Sequence, residues 1–234
     1  MSAAAIAASL LEALERADSP TAPFRHHLLR NVLPQGVARD VLALPFTPPA
    51  IDDTQGKRET HNATRRFYAG AVLAEHPVCA AIAAAMQSEG VVAALSAHTG
   101  TDLVGSFLRI EDCQDTDGFW LEPHTDIGAK LFTMLIYLTD RPDAASWGTD
   151  LYDPEGHHLG SAPGGFNRGL IFIPASDTWH GVERRRFDGV RRSLIINYVK
   201  PEWRSRHELA WPDRPTAPMP ADWDQTEQPW GAAS

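Results

Sequence analysis

Hydrophobic positions follow two different periods, and the change falls near residue 100. Apolar residues of the segment 6–14 recur at helical spacing, which predicts an amphipathic helix. Pro34 can begin a second helix that ends near Pro45, because proline is favoured in the first helical turn and excluded from the interior. The alanine-rich segment 77–98 predicts one or two further helices with a break near Gly90.

Beyond residue 100 the chain changes to short apolar runs bounded by glycine, proline and aspartate. Strands are expected over 103–110, 130–139, 169–174 and 190–199, with shorter ones around 121–122, 150–152 and 180–182. No helical pattern separates these strands, so they should pair antiparallel. The expected fold class is mainly β with N-terminal helices (α+β), around a jelly-roll or cupin-like double-stranded β-helix core.

One domain is expected over residues 1–234. Residues 1–100 would form a mainly helical layer, and residues 101–200 the jelly-roll core. The tail, residues 201–234, contains tryptophan among prolines at positions 203, 211, 223 and 230. Because four tryptophans seldom remain solvated, the tail is expected to pack on the core.

Composition narrows the classes of partner. The formal net charge is -9, and an acidic surface repels both nucleic-acid backbones and anionic membranes. The two cysteines, Cys79 in a helical pattern and Cys113 in an acidic segment expected to be a loop, are interpreted as free thiols of a reducing compartment. The N-terminus lacks the positive start of a signal peptide. These features predict a cytoplasmic protein that binds neither nucleic acid nor membrane.

An imidazole and a carboxylate stand two positions apart in the segment 122–126, EPHTD. On an extended strand, residues i and i+2 point to the same face, so His124 and Asp126 can converge on one metal ion. A pair of this kind arises easily by chance in a chain with ten histidines. The pair therefore needs a third ligand elsewhere in the chain.

His180 is the expected third ligand, since it follows the apolar strand 169–174 and a short polar turn. Two histidines and one carboxylate form the facial triad of non-haem iron(II), which leaves coordination positions open. Zinc accepts the same ligand types in catalytic sites, so the residues alone leave both metals possible. His157 and His158 compete for the third position, although their segment is typical of a solvated hairpin tip.

The strand expected at 190–199 carries a possible anchor for an anion. Arg191 and Ser193 share one face of this strand, and Arg192 points the other way. A guanidinium beside a hydroxyl can hold a carboxylate. The alternative is that both arginines are solvated edge charges, and the choice between Arg191 and Arg192 depends on the strand register.

These motifs, in this order along residues 103–199, resemble those of the 2-oxoglutarate- and iron(II)-dependent dioxygenases. The similarity is to the prolyl-4-hydroxylase-like branch. It implies that His124, Asp126 and His180 bind iron(II), with no further catalytic residue required beyond these ligands. It also implies O2 and 2-oxoglutarate as cosubstrates.

The resemblance further implies how the cosubstrate is held. Arg191 corresponds to the residue that binds the distal carboxylate of 2-oxoglutarate, and Ser193 and Tyr137 to additional contacts. The implied reaction oxidises, most simply hydroxylates, an unactivated C–H bond while 2-oxoglutarate is decarboxylated to succinate.

Two other functions are compatible with parts of the pattern. A non-redox, cupin-like metalloprotein, either an isomerase or a small-molecule binding module, would need the metal ligands but not the Arg191–Ser193 pair. A scaffold without activity would not need a complete triad. The substrate is expected to be a small molecule or a peptide side chain, contacted by the loops 47–67 and 112–120.

Overall fold

The structure is a computed structural model that describes residues 2–51, 53–57 and 65–218. The helices are α1 (Ala3–Glu15), α2 (Gln35–Leu42), α3 (Gly70–Glu75), α4 (Pro77–Gln87) and α5 (Glu89–Thr99). The strands are β1 (His26–Arg30), β2 (Arg65–Phe67), β3 (Phe107–Asp115), β4 (Leu121–His124), β5 (Lys130–Tyr137), β6 (Thr149–Tyr152), β7 (His158–Ala162), β8 (Arg168–Phe172), β9 (His180–Val182) and β10 (Arg191–Val199). Short 3-10 helices span Pro142–Ser146 and Arg206–Glu208.

The strands form two antiparallel sheets that enclose the interior of a sandwich. The larger sheet has the order β1-β8-β5-β10-β3-β2, and the smaller has the order β4-β9-β6-β7. Strands that are neighbours in space are mostly distant in sequence, as in a jelly roll. The predicted fold class is therefore confirmed.

The helices cover one face of the larger sheet. Ile6 and Leu10 of α1 are fully buried in the same apolar cluster as Leu194 and Ile196 of β10. The hydroxyl of Ser2 accepts a hydrogen bond from the Ala5 amide and caps α1. The main core of the protein therefore lies between helices and sheet, not inside the sandwich.

The other face of the larger sheet carries polar and charged residues on β10 and β3, next to a smaller apolar cluster that includes Leu135, Leu170 and Phe172. In β10, Arg191, Ser193 and Asn197 alternate with the apolar residues and are buried inside the sandwich. In the neighbouring β3, Arg109 and Glu111 occupy the same face. Buried charges on facing strands are unusual in a core and are typical of a functional site.

Several local expectations were wrong. The strand β3 begins and ends later than the expected 103–110, so Cys113 is a buried strand residue rather than part of a loop. The segment His26–Arg30 was not predicted to be a strand, but it pairs with β8 and buries both of its histidines. By contrast, the expected break near Gly90 is confirmed, since α4 ends at Gln87 and α5 begins at Glu89.

Both cysteines are buried and form no disulfide with each other, as expected. Trp203 and Trp211 are half-buried, and Trp211 packs against the main core. Trp223 and Trp230 lie outside the described residues. Among the described residues, no single helix is long and apolar enough to span a membrane, although α4 and α5 taken together, with a 57° bend between them, meet the same length and composition test.

Candidate metal and cosubstrate site

His124, Asp126 and His180 converge at the mouth of the sandwich. His124 ends β4 and His180 begins β9, and the two residues are direct partners in the antiparallel register. One potential ligand atom from each of the three residues lies within 4.8 Å of the other two. The structure thus brings together the three residues that the sequence pattern selected.

Both imidazoles are oriented by backbone carbonyls. The Nδ1 atom of His124 donates to the Glu122 carbonyl at 2.8 Å, and the Nδ1 atom of His180 donates to the Thr178 carbonyl at 3.0 Å. A carbonyl can only accept, so each Nδ1 carries the proton and each Nε2 presents a lone pair. Burial lowers the pKa of His180 to about 4, which keeps its ring neutral at physiological pH.

Asp126 is held by two side chains of β5. Its Oδ1 accepts from the ammonium of Lys130 at 2.6 Å, and its Oδ2 accepts from the Thr133 hydroxyl at 2.7 Å. Burial alone would raise the pKa of Asp126, but Lys130 and the other donors lower it to about 2. The carboxylate is therefore ionised, as a metal ligand must be. The sequence pattern did not identify Lys130 or Thr133.

Gly181 allows β9 to lie close to β4. A Cβ atom at this position would be 2.7 Å from the Leu121 carbonyl oxygen, a separation that real Cβ atoms do not show. The absence of a side chain next to His180 therefore fixes the distance between the two histidine-bearing strands. The donor set and its geometry fit a divalent metal with open positions, which is the requirement of the facial triad.

Arg191 lies inside the sandwich with its guanidinium anchored from behind. Nη1 pairs with Asp115 at 2.6 Å, Nε donates to the Trp147 carbonyl at 2.6 Å, and Nη2 donates to the Gly148 carbonyl at 3.2 Å. A buried guanidinium needs an anionic partner, and Asp115 of the protein itself supplies one. Of its five N–H donors, three are used by these contacts, so two remain for a ligand.

Ser193 and Tyr137 lie beside Arg191. They are direct partners across β10 and β5, and the guanidinium carbon of Arg191 is 5.7 Å from the centre of the Tyr137 ring. The Tyr137 hydroxyl donates to Thr149 at 2.7 Å. The Ser193 hydroxyl is buried and has no hydrogen-bond partner in the described part of the chain. An orphaned buried hydroxyl next to a guanidinium fits a carboxylate ligand.

Arg192 points to the opposite face of the larger sheet. Its guanidinium makes two hydrogen bonds with Asp112, at 2.9 and 2.8 Å, and a third with the Leu42 carbonyl at 3.1 Å. Both arginines are buried, so neither is a solvated edge charge. The register assigned from the sequence, with Arg191 inside and Arg192 outside the sandwich, agrees with these contacts.

A cavity of about 520 Å³ connects the metal ligands to the surface. Its lining includes His124, Asp126, His180 and Arg191. The expected loop 47–67 contributes through residues 56, 57 and 65, whereas no residue of 112–120 lines the cavity. The volume is that of a typical small-molecule site.

A second group of possible metal ligands consists of Asp150, His158 and Glu183. Asp150 is buried and already pairs with Arg185 and with the Ser161 hydroxyl. The guanidinium of Arg185 therefore already occupies the carboxylate that a metal ion would have to bind. His158 belongs to this group and His157 contacts Asp153, so neither competes with His180.

The fold and the site together define a jelly-roll protein with a His-x-Asp…His triad inside the sandwich. No family model matches the sequence, and no curated protein sequence matches it either. Several solved structures, in contrast, share the fold of this chain.

Three similar structures are hydroxylases. A prolyl 4-hydroxylase of Phytophthora capsici has a TM-score of 0.56 and 12% identity, and covers 85% of this chain and 65% of its own. A prolyl-4-hydroxylase of Pseudomonas putida has a TM-score of 0.52 and 13% identity, and the match covers 83% of this chain and 94% of that protein. A third structure is a prolyl hydroxylase of Trichoplax adhaerens in complex with a peptide fragment of hypoxia inducible factor. Its TM-score is 0.53 at 15% identity, and the match covers 85% of this chain and 90% of that protein.

The chain thus has the fold of the prolyl 4-hydroxylases, which the resemblance of its motifs had implied. It spans slightly less than two thirds of the length of the Phytophthora protein. At identities of 12–15% the likeness establishes the fold. The activity is argued from the site.

Proposed function

We propose that this protein is an iron(II)- and 2-oxoglutarate-dependent dioxygenase that oxidises a C–H bond of a small molecule or a peptide side chain. The observation that carries the proposal is the convergence of His124, Asp126 and His180 at a cavity that is also lined by the buried Arg191. A metal site alone would serve many functions. A buried guanidinium beside an orphaned hydroxyl is what a dicarboxylate cosubstrate requires.

The three side chains would hold the metal through two imidazole Nε2 atoms and one carboxylate oxygen. Iron(II) together with 2-oxoglutarate supplies the electrons that activate oxygen, and the products are succinate, carbon dioxide and the oxidised substrate. The carbonyls of Glu122 and Thr178 fix the tautomer of both rings, so no proton has to leave an imidazole when a metal binds. The same hydrogen bonds prevent the rings from rotating.

The inner wall binds and orients the cosubstrate. Arg191 would bind the distal carboxylate of 2-oxoglutarate with its two remaining N–H donors, and the buried, unpartnered hydroxyl of Ser193 would be a further donor. Tyr137 packs beside the guanidinium and restricts its position. Because these groups are buried, water is excluded and the charged contacts are stronger than at the surface.

Anaerobic titration with iron(II), with and without 2-oxoglutarate, tests this function. The expected result is a weak visible charge-transfer band that forms only when both are present. His180→Ala should abolish the band and 2-oxoglutarate turnover while the protein keeps its cooperative unfolding, since the apolar core lies between helices and sheet. His157→Ala is the matched control, because His157 is exposed and belongs neither to the triad nor to the cavity lining. Metal binding without any effect of 2-oxoglutarate would instead favour a non-redox metalloprotein.

A further inference from the structure

Four charged residues form a band on the cavity wall beyond the metal ligands. We call this set, Arg65, Arg109, Glu111 and Glu208, the charged stripe. All four line the cavity, and they come from β2, β3 and the 3-10 helix near the C-terminal end of the described chain. Neither the metal nor the cosubstrate uses them.

Arg109 is held rigidly at the centre of the charged stripe. Its guanidinium lies between two aromatic rings, with its carbon 4.9 Å from the centre of the Phe67 ring and 5.1 Å from that of Trp203. Nε donates to Glu208 at 2.5 Å, and Nη1 donates to Glu111. Nη2 makes no hydrogen bond with any described residue. The protein thus fixes this guanidinium and leaves one of its nitrogens unused.

Arg65 and Glu111 form an ion pair, but the two atoms that meet lack a hydrogen bond. The Nε of Arg65 is 3.1 Å from Oε2 of Glu111, yet both atoms are buried and lack a hydrogen bond within the described ranges. Glu208 likewise uses only Oε2, for Arg109, and its Oε1 has no partner there. Buried charges with unused hydrogen-bonding atoms destabilise a protein unless a ligand satisfies them.

The charged stripe is connected to the metal ligands. Arg109 Nη1 donates to Asn197 Oδ1 at 3.1 Å, Asn197 Nδ2 donates to Thr133 at 2.9 Å, and Thr133 donates to Asp126. Arg109, Asn197 and Thr133 are paired across three adjacent strands, so two strand spacings, about 10 Å, separate the first from the last. A molecule bound at the charged stripe therefore needs only a short chain to reach the metal.

We propose that the charged stripe binds the polar head of the primary substrate, and that this substrate is a small zwitterion of the amino-acid type. Its carboxylate lies on Nη2 of Arg109 and on the Nη nitrogens of Arg65, because the buried Nε of Arg65 already faces Oε2 of Glu111. Its ammonium group lies on Oε1 of Glu208. The side chain of the substrate then extends along the wall towards the metal. This assignment rests on the proposed oxygenase function and adds the substrate class to it.

Charge balance favours a zwitterion over an anion or a cation. The charged stripe contains two arginines and two glutamates, so it is neutral as a set and attracts neither charge alone. It offers unused donors on its arginines and an unused acceptor on Glu208, which matches the two charged groups of an amino acid. A peptide bond carries neither charge, and a site built for charged groups discriminates strongly against analogues that lack them.

Calorimetric titration of the full chain with the twenty free proteinogenic L-amino acids tests the proposal. The titrations are made with nickel(II) and 2-oxoglutarate present, and are repeated without both. The amino acid that binds best is then compared with its carboxamide and its N-acetyl derivative. We expect the free acid to bind at least about 10-fold more tightly than either derivative, the ratio that loss of one charge-assisted hydrogen bond produces.

Arg65→Met should reduce the preference for the acid over the carboxamide to less than about 3-fold. Glu208→Gln should do the same for the preference over the N-acetyl derivative. Arg66→Met is the matched control, since Arg66 lies on the same strand and is exposed. It removes the same charge and should preserve both preferences.

Three results would overturn the assignment: binding of none of the twenty amino acids, equal or tighter binding of the derivatives, or identical behaviour of Arg65→Met and Arg66→Met. Tighter binding of the derivatives would indicate a peptide substrate. The proposed function fails separately, by loss of the iron(II)–2-oxoglutarate absorption band. The charged stripe contains no metal ligand, so its selectivity is measured even when that band does not form.

Discussion

Arg191 and Asp115 form an ion pair of 2.6 Å between two side chains that are both almost completely buried. Asp115 is the last residue of β3 and faces Arg191 directly in the register with β10. The candidate cosubstrate anchor is therefore part of the folded core before any ligand arrives. Its removal should affect stability as well as cosubstrate binding, and the two effects can be separated.

Arg191→Met should lower the free energy of unfolding by about 3–5 kcal/mol, because Asp115 remains buried without its cation. The double variant Arg191→Met/Asp115→Asn removes that charge and should recover at least half of the loss. Its affinity for 2-oxoglutarate should nevertheless stay at least about 30-fold weaker than that of the unmodified protein. Urea denaturation and a 2-oxoglutarate titration measure the two quantities. A double variant that binds 2-oxoglutarate normally would show that Arg191 is not the anchor.

Arg192→Met should lower the stability of the protein but leave its affinity for 2-oxoglutarate almost unchanged. Arg192 makes two hydrogen bonds with Asp112 on the helix side of the sheet, so its loss should also cost about 3–5 kcal/mol of stability. Because its side chain does not enter the sandwich, the dissociation constant for 2-oxoglutarate should remain within about 2-fold of the unmodified value in the folded protein. Normal stability with weakened 2-oxoglutarate binding would mean that the two arginines have been assigned to the wrong faces.

Gly181→Ala should weaken metal binding without unfolding the protein. A methyl group at this position would contact the Leu121 carbonyl and push β9 away from β4, so His180 would move relative to His124. We expect an iron(II) affinity about 10–100-fold lower, as for other groups that support metal ligands. Gly128→Ala is the control, since a methyl group there has no atom within 4 Å. Equal iron(II) affinities for the two variants would contradict this role of Gly181.

The stability of the fold should decrease in mild acid because of His27. Burial, with the charges of His98, Arg25 and His26, lowers the pKa of His27 to about 4. Its Nδ1 is 2.8 Å from the Ser19 hydroxyl. In the unfolded chain the imidazole takes up a proton near pH 6.5, so between that pH and about 4 the unfolded state binds more protons. This contribution to stability is complete above pH 6.5 and is lost as the pH falls to about 4.

His27→Gln should remove this part of the pH dependence when urea denaturation is compared at several pH values. His207→Gln, at an exposed position, should retain it. If both variants keep the same slope between pH 6.5 and 4, another group is responsible for the acid sensitivity.

The metal ligands could be predicted from the sequence because their geometry is local. A two-residue spacing on a strand determines which side chains share a face, and this placed His124 beside Asp126 and Arg191 beside Ser193. The position of His180 followed from the apolar strand before it. The strands of the core were recognised for the same reason, since their apolar residues are contiguous or alternate.

The residues that surround the ligands were not predicted, because their positions depend on pairing between distant strands. The charges of Glu111 and Asp115 suggested a loop, and the predicted strand ended at Ile110. These residues are instead the polar face of β3, inside the sandwich. A search for period-two alternation of charged and apolar residues would have extended the strand, but it could not have identified Asp115 as the partner of Arg191.

The order of synthesis has a consequence for the charged stripe. Arg109 belongs to an early strand of the sandwich, whereas Trp203 and Glu208, which enclose it, follow the last strand. All three metal ligands leave the ribosome before these closing residues do. A nascent chain that ends after β10 therefore contains all three proposed metal ligands, whereas its cavity still lacks the wall formed by Trp203 and Glu208. The metal ligands are therefore complete before the cavity wall is, and selection between substrates requires the residues that follow β10.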